Sequence, residues 1–163
     1  MTLTYIAVGS NMLDPVCQVR YAIDAIGHLP RTRLIAKSQL YVSKPMGPKS
    51  QPDYINAVSK IDTQLSPIAL LDCTQAIELK RGKVKKEERW GQRALDLDIL
   101  IFGDKIIQSE RLTIPHRGIK MREFVLYPLS DVEPGFTFSD GTTLVSQLKK
   151  IGKNGLELLE TYS

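Results

Sequence analysis

The stretch Arg93-Ala94-Leu95-Asp96-Leu97-Asp98-Ile99-Leu100-Ile101-Phe102 constrains the fold of this chain more than any other. Its second half is an unbroken run of aliphatic and aromatic side chains, the composition of a buried strand. Successive side chains of a strand alternate between faces. Leu95, Leu97, Ile99 and Ile101 are therefore expected to form one continuous aliphatic face, with Asp96 and Asp98 side by side on the other. Two residues apart along a strand is roughly 6–7 Å, close enough for two carboxylates to repel unless positive charge lies between them.

That positive charge is supplied locally. The chain has 163 residues, 42% of them apolar and 25% charged, with a net charge of +4. Lys80 to Arg93 holds seven basic residues and two acidic ones, a local +5, which leaves 15 basic against 16 acidic residues elsewhere. The whole positive excess thus stands directly before the two aspartates. A charge run is ordinarily a solvated helix end or loop. Here Gly82 and Gly91 argue for a loop and Trp90 is costly to leave in water, which brings a functional reading level with the ordinary one. The length suits one domain, residues 1–163, that can bury a core without disulfides. Cys17 and Cys73 fall in predicted helices and form no metal-type cluster, which favours a reducing, cytoplasmic compartment. No segment is long and apolar enough to span a membrane, and the N-terminus lacks the basic start of a signal peptide.

Along the chain, Thr4–Val8 reads as a first strand. Asp14-Pro15 is a helix-start signal, followed by Val16, Val19, Ile23 and Ile26 on one helical face. Leu34–Ser43 reads as a second strand, and the segment Lys44–Pro52, with three prolines, as a stiff connector. Tyr54–Ile61 is a third strand. Ser66-Pro67 opens a second helix whose inner face is Leu70, Leu71, Thr74 and Ile77. After the fourth strand come a short hairpin (Ile106-Ile107 with Leu112-Thr113), a helix around Met121–Leu129 and a last helix beyond Asp140-Gly141. This order suits an α+β domain of the ferredoxin-like, split-βαβ kind (βαββαβ). Its sheet is largely antiparallel, with two helices on one face and a helical C-terminal appendix.

An isolated pair of strand aspartates can simply discourage edge pairing. Beside a basic loop it suits something more specific, a Mg²⁺–triphosphate site. Hard carboxylate oxygens hold the cation, which fills its octahedron with water and phosphate, and Lys and Arg grip phosphate oxygens. Neither a Walker loop nor a G-x-G-x-x-G is present, so side chains and metal would do the holding. Tyr54 and Asn56 share one strand face. They would serve a heterocycle by stacking and by edge hydrogen bonds, or would equally be an ordinary half-buried Tyr beside a surface Asn. His116 is either a satisfied structural histidine or a donor to an anion, the second being favoured by Arg111, Arg117 and Arg122 nearby in sequence.

Taken together, four segments resemble the 6-hydroxymethyl-7,8-dihydropterin pyrophosphokinase family of folate biosynthesis. They are Tyr5-Ile6-Ala7-Val8-Gly9-Ser10-Asn11, then Gly47-Pro48 through Gln51-Pro52-Asp53-Tyr54-Ile55-Asn56-Ala57, and above all Arg89-Trp90-Gly91-Gln92-Arg93-Ala94-Leu95-Asp96-Leu97-Asp98-Ile99-Leu100, followed by Leu112-Thr113-Ile114-Pro115-His116. The resemblance covers nearly the whole chain. It implies transfer of the β,γ-diphosphate of ATP to a pterin hydroxymethyl group with release of AMP, and two Mg²⁺ ions held by Asp96 and Asp98. It assigns catalysis to Lys83, Arg93, Asp96 and Asp98. ATP contacts fall on Gln75, Glu78, Lys85, Trp90, Arg93, Ile99, Arg111, Thr113, His116, Arg117 and Arg122. The pterin would lie between Tyr54 and Phe124, meet Asn56 at its edge, and touch Ser43, Lys44, Pro45 and Met46.

The chain departs from the family pattern at several positions. Gln92 stands where proline is usual, Lys83 where arginine is frequent, Ser43-Lys44 in place of Thr-Pro, and Arg117 at a position often aromatic. No obvious general base accompanies the site, and a loose phosphoryl-transfer transition state has little need of one. The loop around residues 83–92 is expected to act as a lid over ATP. The expected partners are ATP and the dihydropterin, with no membrane and no nucleic acid, and the chain is expected to be a monomer. Two other readings compete. A split-βαβ RNA-binding module is disfavoured by acids that would repel a phosphate backbone. A Mg²⁺ phosphohydrolase would use water as the acceptor.

Overall fold

Strand β1 (Thr2–Ser10) runs through the middle of an antiparallel sheet, in a computed structural model that describes residues 1–44, 52–81 and 94–159. Helix α1 (Pro15–Gly27) follows, then β2 (Thr32–Lys37), β3 (Tyr41–Ser43), β4 (Tyr54–Thr63), α2 (Pro67–Lys80) and β5 (Asp96–Phe102). A hairpin of β6 (Ile107–Gln108) and β7 (Thr113–Ile114) leads to a 3₁₀ turn at Ile119–Met121. The chain then forms α3 (Glu123–Val132), α4 (Leu144–Ile151) and β8 (Glu157–Leu158). The sheet order is β5-β1-β4-β3-β8, with β2 also paired to β4. Every pairing among the described residues is antiparallel.

Both early helices start as their sequences dictate. Asp14 accepts a hydrogen bond from the Cys17 N–H and Ser66 accepts one from the Ala69 N–H, each with proline in the first turn behind it. Their apolar stripes, Val19, Ile23 and Ile26 on α1 and Leu70, Leu71 and Ile77 on α2, enter one core with Ile6, Val8, Ile55, Ile61, Leu95, Leu97 and Ile99 of the sheet. The opposite face carries a second core. Tyr5, Val58, Leu100 and Ile101 meet Leu126 and Leu129 of α3 and Leu144 of α4 there. The helices of the C-terminal appendix thus cover part of the second face and leave the rest open.

Four expectations need correction. Ile101 does not continue the face of Leu95, Leu97 and Ile99. The β1–β5 register shifts between Tyr5 and Ile6, so that Leu100 is an extra residue on β5, and Ile101 joins the second core. A bulge of this kind re-aims every side chain beyond it. The single strand expected over 34–43 is two strands. At Ser38 the side chain enters the ladder, its Oγ accepting from the Val58 N–H at 2.8 Å while the Ser38 N–H donates to the Val58 carbonyl at 2.9 Å. Chain direction changes there. The hairpin pairs Ile107 with Ile114 and Gln108 with Thr113, one residue later on each strand than expected. Helix α3 begins at Glu123, because Ile119–Met121 forms a tighter 3₁₀ turn. The β8 strand, paired with Tyr41 and Val42, had no forewarning in the sequence.

Among the described residues no helix is long and apolar enough to cross a membrane. Cys17 and Cys73 are free thiols.

Candidate active site

Register places the candidate residues. Gly9 of β1 lies opposite Asn56 on β4 and opposite Asp96 on β5, and Ala7 lies opposite Val58 and Asp98. Directly opposed residues share a face, so Tyr54, Asn56, Ala7, Gly9, Asp96 and Asp98 all point away from α1 and α2. Adjacent strands are about 4.8 Å apart, which sets the Asn56 and Asp96 backbones roughly 10 Å from each other across Gly9. Between them lies a cleft of about 280 Å³. Its floor is Ala7 and Gly9. One wall is Ser43, Lys44, Tyr54 and Asn56, the second is Asp96 and Asp98, and the third is Arg122, Phe124 and Val125 from the start of α3. A Cβ on Gly9 would stand 3.4 Å from Asn56 Oδ1, at ordinary contact distance.

The polar groups of the cleft are held in defined orientations. Asn56, 5% exposed, donates through Nδ2 to Ser43 Oγ at 2.7 Å, which tethers the amide to β3. His116 follows β7, and its N–H donates to the Leu100 carbonyl of β5 at 2.9 Å. Its Nδ1 accepts from the Gly118 N–H at 3.1 Å, so the ring proton sits on Nε2, 4.0 Å from the Asp98 carboxylate. Burial, reinforced by Arg122, pushes the His116 pKa down against the pull of Asp98. The imidazole is therefore a neutral Nε2–H donor on the side of Asp98.

The predicted nucleotide residues do not all meet in this cleft. Glu78 is buried, and its Oε2 accepts from the Leu97 N–H at 2.8 Å. It thereby fastens the free edge of β5 at the residue between the two aspartates. Ile99 buries its side chain in the α1–α2 core, so only its backbone could meet a ligand. Gln75 and Arg111 touch each other at 3.1 Å, and Arg111 also forms a 2.7 Å ion pair with Asp72. Asp72, Gln75 and Glu78, at spacings of three along α2, make one polar stripe leading toward β5. Nothing in the sequence around Asp72 signals that role. Arg117 is exposed at the turn after His116, and Thr113 is half-buried on β7. Lys83, Lys85, Trp90, Arg93, Pro45 and Met46 lie outside the described residues.

Two aspartates on one face, opening on a polar cleft, form the hard-oxygen donor set that Mg²⁺ prefers. Among the described residues they have no third acidic, histidine or cysteine partner close enough to complete a metal cage. The remaining positions of such a cation would fall to water and a ligand's own oxygens. The cleft thus has a flat, aromatic, amide-edged half and an acidic half that needs cations. This is the shape of a site for a planar heterocycle beside a metal-bound polyanion.

Comparison with known proteins gives the family. The family model for 7,8-dihydro-6-hydroxymethylpterin-pyrophosphokinase (HPPK) matches residues 5–134, and the chain belongs to this family. It is 47% identical over 155 residues to the 2-amino-4-hydroxy-6-hydroxymethyldihydropteridine pyrophosphokinase of Pseudomonas aeruginosa, covering 95% of each chain. It is 48% identical over 150 residues to the enzyme of the same name from Haemophilus influenzae, covering 92% of this chain and 93% of that one. Among solved structures, Plasmodium falciparum HPPK-DHPS wild type superposes with a TM-score of 0.71 at 13% identity. That match covers 96% of this chain and 44% of the other, so this chain spans less than half of that larger one. The chain is an enzyme of pyrophosphoryl transfer to hydroxymethyldihydropterin in folate biosynthesis.

Proposed function

We propose that the cleft binds MgATP and 6-hydroxymethyl-7,8-dihydropterin together, and that the pterin hydroxyl oxygen attacks the β-phosphorus in line, giving the pterin diphosphate and AMP. The observation that carries this reading is that Asp96 and Asp98 open onto the same cleft as Tyr54, Asn56 and Phe124. The dihydropterin ring would lie between Tyr54 and Phe124, with the Asn56 amide and the Ser43–Lys44 backbone at its edge. Asp96 and Asp98 would hold Mg²⁺, two ions on the family pattern, and that cation supplies charge neutralisation of the triphosphate when bound. Arg122, on the wall beside the acid pair, and neutral His116, 4.0 Å from Asp98, would donate to phosphate oxygens. With no side chain needed as a general base, positioning and electrostatics supply most of the acceleration.

The strand order and the two helices on one face support a ferredoxin-like description of the sheet. The chain would act as a single pyrophosphokinase domain. Two free thiols favour a cytoplasmic setting.

The deciding experiment is product analysis with MgATP in the presence and absence of 6-hydroxymethyl-7,8-dihydropterin. AMP that appears only with the pterin, in equal amount to pterin diphosphate, is expected. Phosphate release independent of pterin would instead make the chain a phosphohydrolase.

A further inference from the structure

Gly118 has no backbone reason to be glycine. Its φ of −90° and ψ of 5° are open to any L residue. What the position lacks is room. A Cβ there would lie 2.6 Å from Nε, 3.0 Å from Cζ and 3.2 Å from Nη2 of Arg122, well inside ordinary contact distances. The guanidinium of Arg122 is therefore packed onto the bare Cα of Gly118.

The turn that carries Gly118 is fastened on several sides. The Ile119 N–H donates to the His116 carbonyl at 3.2 Å, and the Met121 N–H to the Gly118 carbonyl at 3.1 Å. The buried Gln147 of α4 donates to the Lys120 carbonyl at 2.7 Å, and Ile119 is itself in the second core. Between a fastened turn and a long flexible side chain, it is the side chain that must yield to a new methyl group. Arg122 lines the cleft, and in its present position the guanidinium lies 5.9 Å from the centroid of the Phe124 ring. The same glycine orients His116 by a different atom, its N–H, which alanine would keep.

We propose that Gly118 is a positioning residue, a seat whose missing side chain holds the Arg122 guanidinium in the cleft beside His116 and Asp98, and that it acts on nucleotide binding only through Arg122. The inference rests on the reading of Arg122 as a phosphate-facing group. The seat itself can be tested without that reading.

The test uses Gly118→Ala, Arg122→Ala and the double variant. In the ligand-free protein, the Arg122 Nε–H resonance is expected to move in Gly118→Ala while the thermal midpoint stays near that of the parent. An unmoved resonance overturns the seat. Calorimetry with Mg²⁺ and a non-hydrolysable ATP analogue is expected to show about tenfold weaker binding for Gly118→Ala, the scale of one charge-assisted hydrogen bond. In the Arg122→Ala background the same alanine is expected to cost nothing further. Parent affinity in Gly118→Ala, or an equal loss in both backgrounds, overturns the inference while leaving the proposed function standing. Parent affinity in Arg122→Ala with a moved resonance in Gly118→Ala removes Arg122 from the nucleotide site and leaves the seat intact.

Discussion

Ser43 and Asn56 share a hydrogen bond inside the cleft, and both are buried. An amide that lost this partner would be less firmly held at the edge of the cleft. Ser43→Ala is therefore expected to cost about 1–2 kcal/mol of stability and to raise the KM for the dihydropterin several-fold with kcat little changed. Ser43→Thr, which keeps the hydroxyl, is expected to restore both. Steady-state kinetics beside denaturant titration check this, and an alanine variant with the parent KM would show that the amide is held by something else. The acid pair is legible at this scale because two charges on an apolar strand violate the pattern around them. The aromatic and amide positions are legible only through the resemblance, since a half-buried Tyr beside an Asn has no distinctive local chemistry. Glu78 and Gly118 are hidden for a simpler reason. What each does depends on an atom that arrives from elsewhere in the fold, the Leu97 N–H in one case and the Arg122 guanidinium in the other.

Helix α3 delivers Arg122 and Phe124 to the cleft from its first turn, and its last turn is tied to the sheet by two acids. Glu133 accepts from the Tyr5 hydroxyl at 2.7 Å and pairs with Lys60 at 2.6 Å. Asp131 accepts from the Tyr41 hydroxyl at 2.9 Å and the Gln39 N–H at 3.1 Å. The hydrogen bonds from Lys60 and Tyr5 hold the Glu133 carboxyl below its ordinary value of 4.5, against a smaller opposing effect of burial. A carboxyl depressed in the folded state contributes its stability fully above the unfolded value, and loses it as pH falls through the folded one. Glu133→Gln should thus be less stable than the parent by about 1 kcal/mol at neutral pH, with the gap closing as pH falls below about 4. Thermal midpoints across that range test it, and a gap independent of pH would mean that the carboxylate charge is irrelevant to the tie. At this scale the helix starts are readable because capping residues and prolines act locally. The break at Ser38 and the bulge at Leu100 are not, because each is a negotiation between a strand and its neighbour. The alternation rule assumes that no such negotiation occurs.

Viewed whole, the molecule uses the two faces of one sheet differently. The α1–α2 face is sealed, and most of the helix and strand side chains buried there, up to the bulge at Leu100, follow from periodicity. The other face is half core and half cleft, and which half is which is decided by how far α3 and α4 extend over it. That division is a tertiary property. A hydrophobic pattern can call for a cover over the second face, but it cannot say where the cover stops. The outcome sets an aromatic, amide-edged pocket and a carboxylate pair side by side on the uncovered end, as the proposed transfer from a metal-bound triphosphate to a planar acceptor requires. The most direct test of that account is metal-dependent nucleotide binding. Mn²⁺ and a non-hydrolysable ATP analogue should be titrated into the parent, Asp96→Asn and Asp98→Asn, with bound metal followed by electron paramagnetic resonance and folding by thermal midpoint. The account predicts that both variants keep their fold and lose metal-dependent affinity by about 10- to 100-fold; two folded variants that bind metal and nucleotide as tightly as the parent would contradict it.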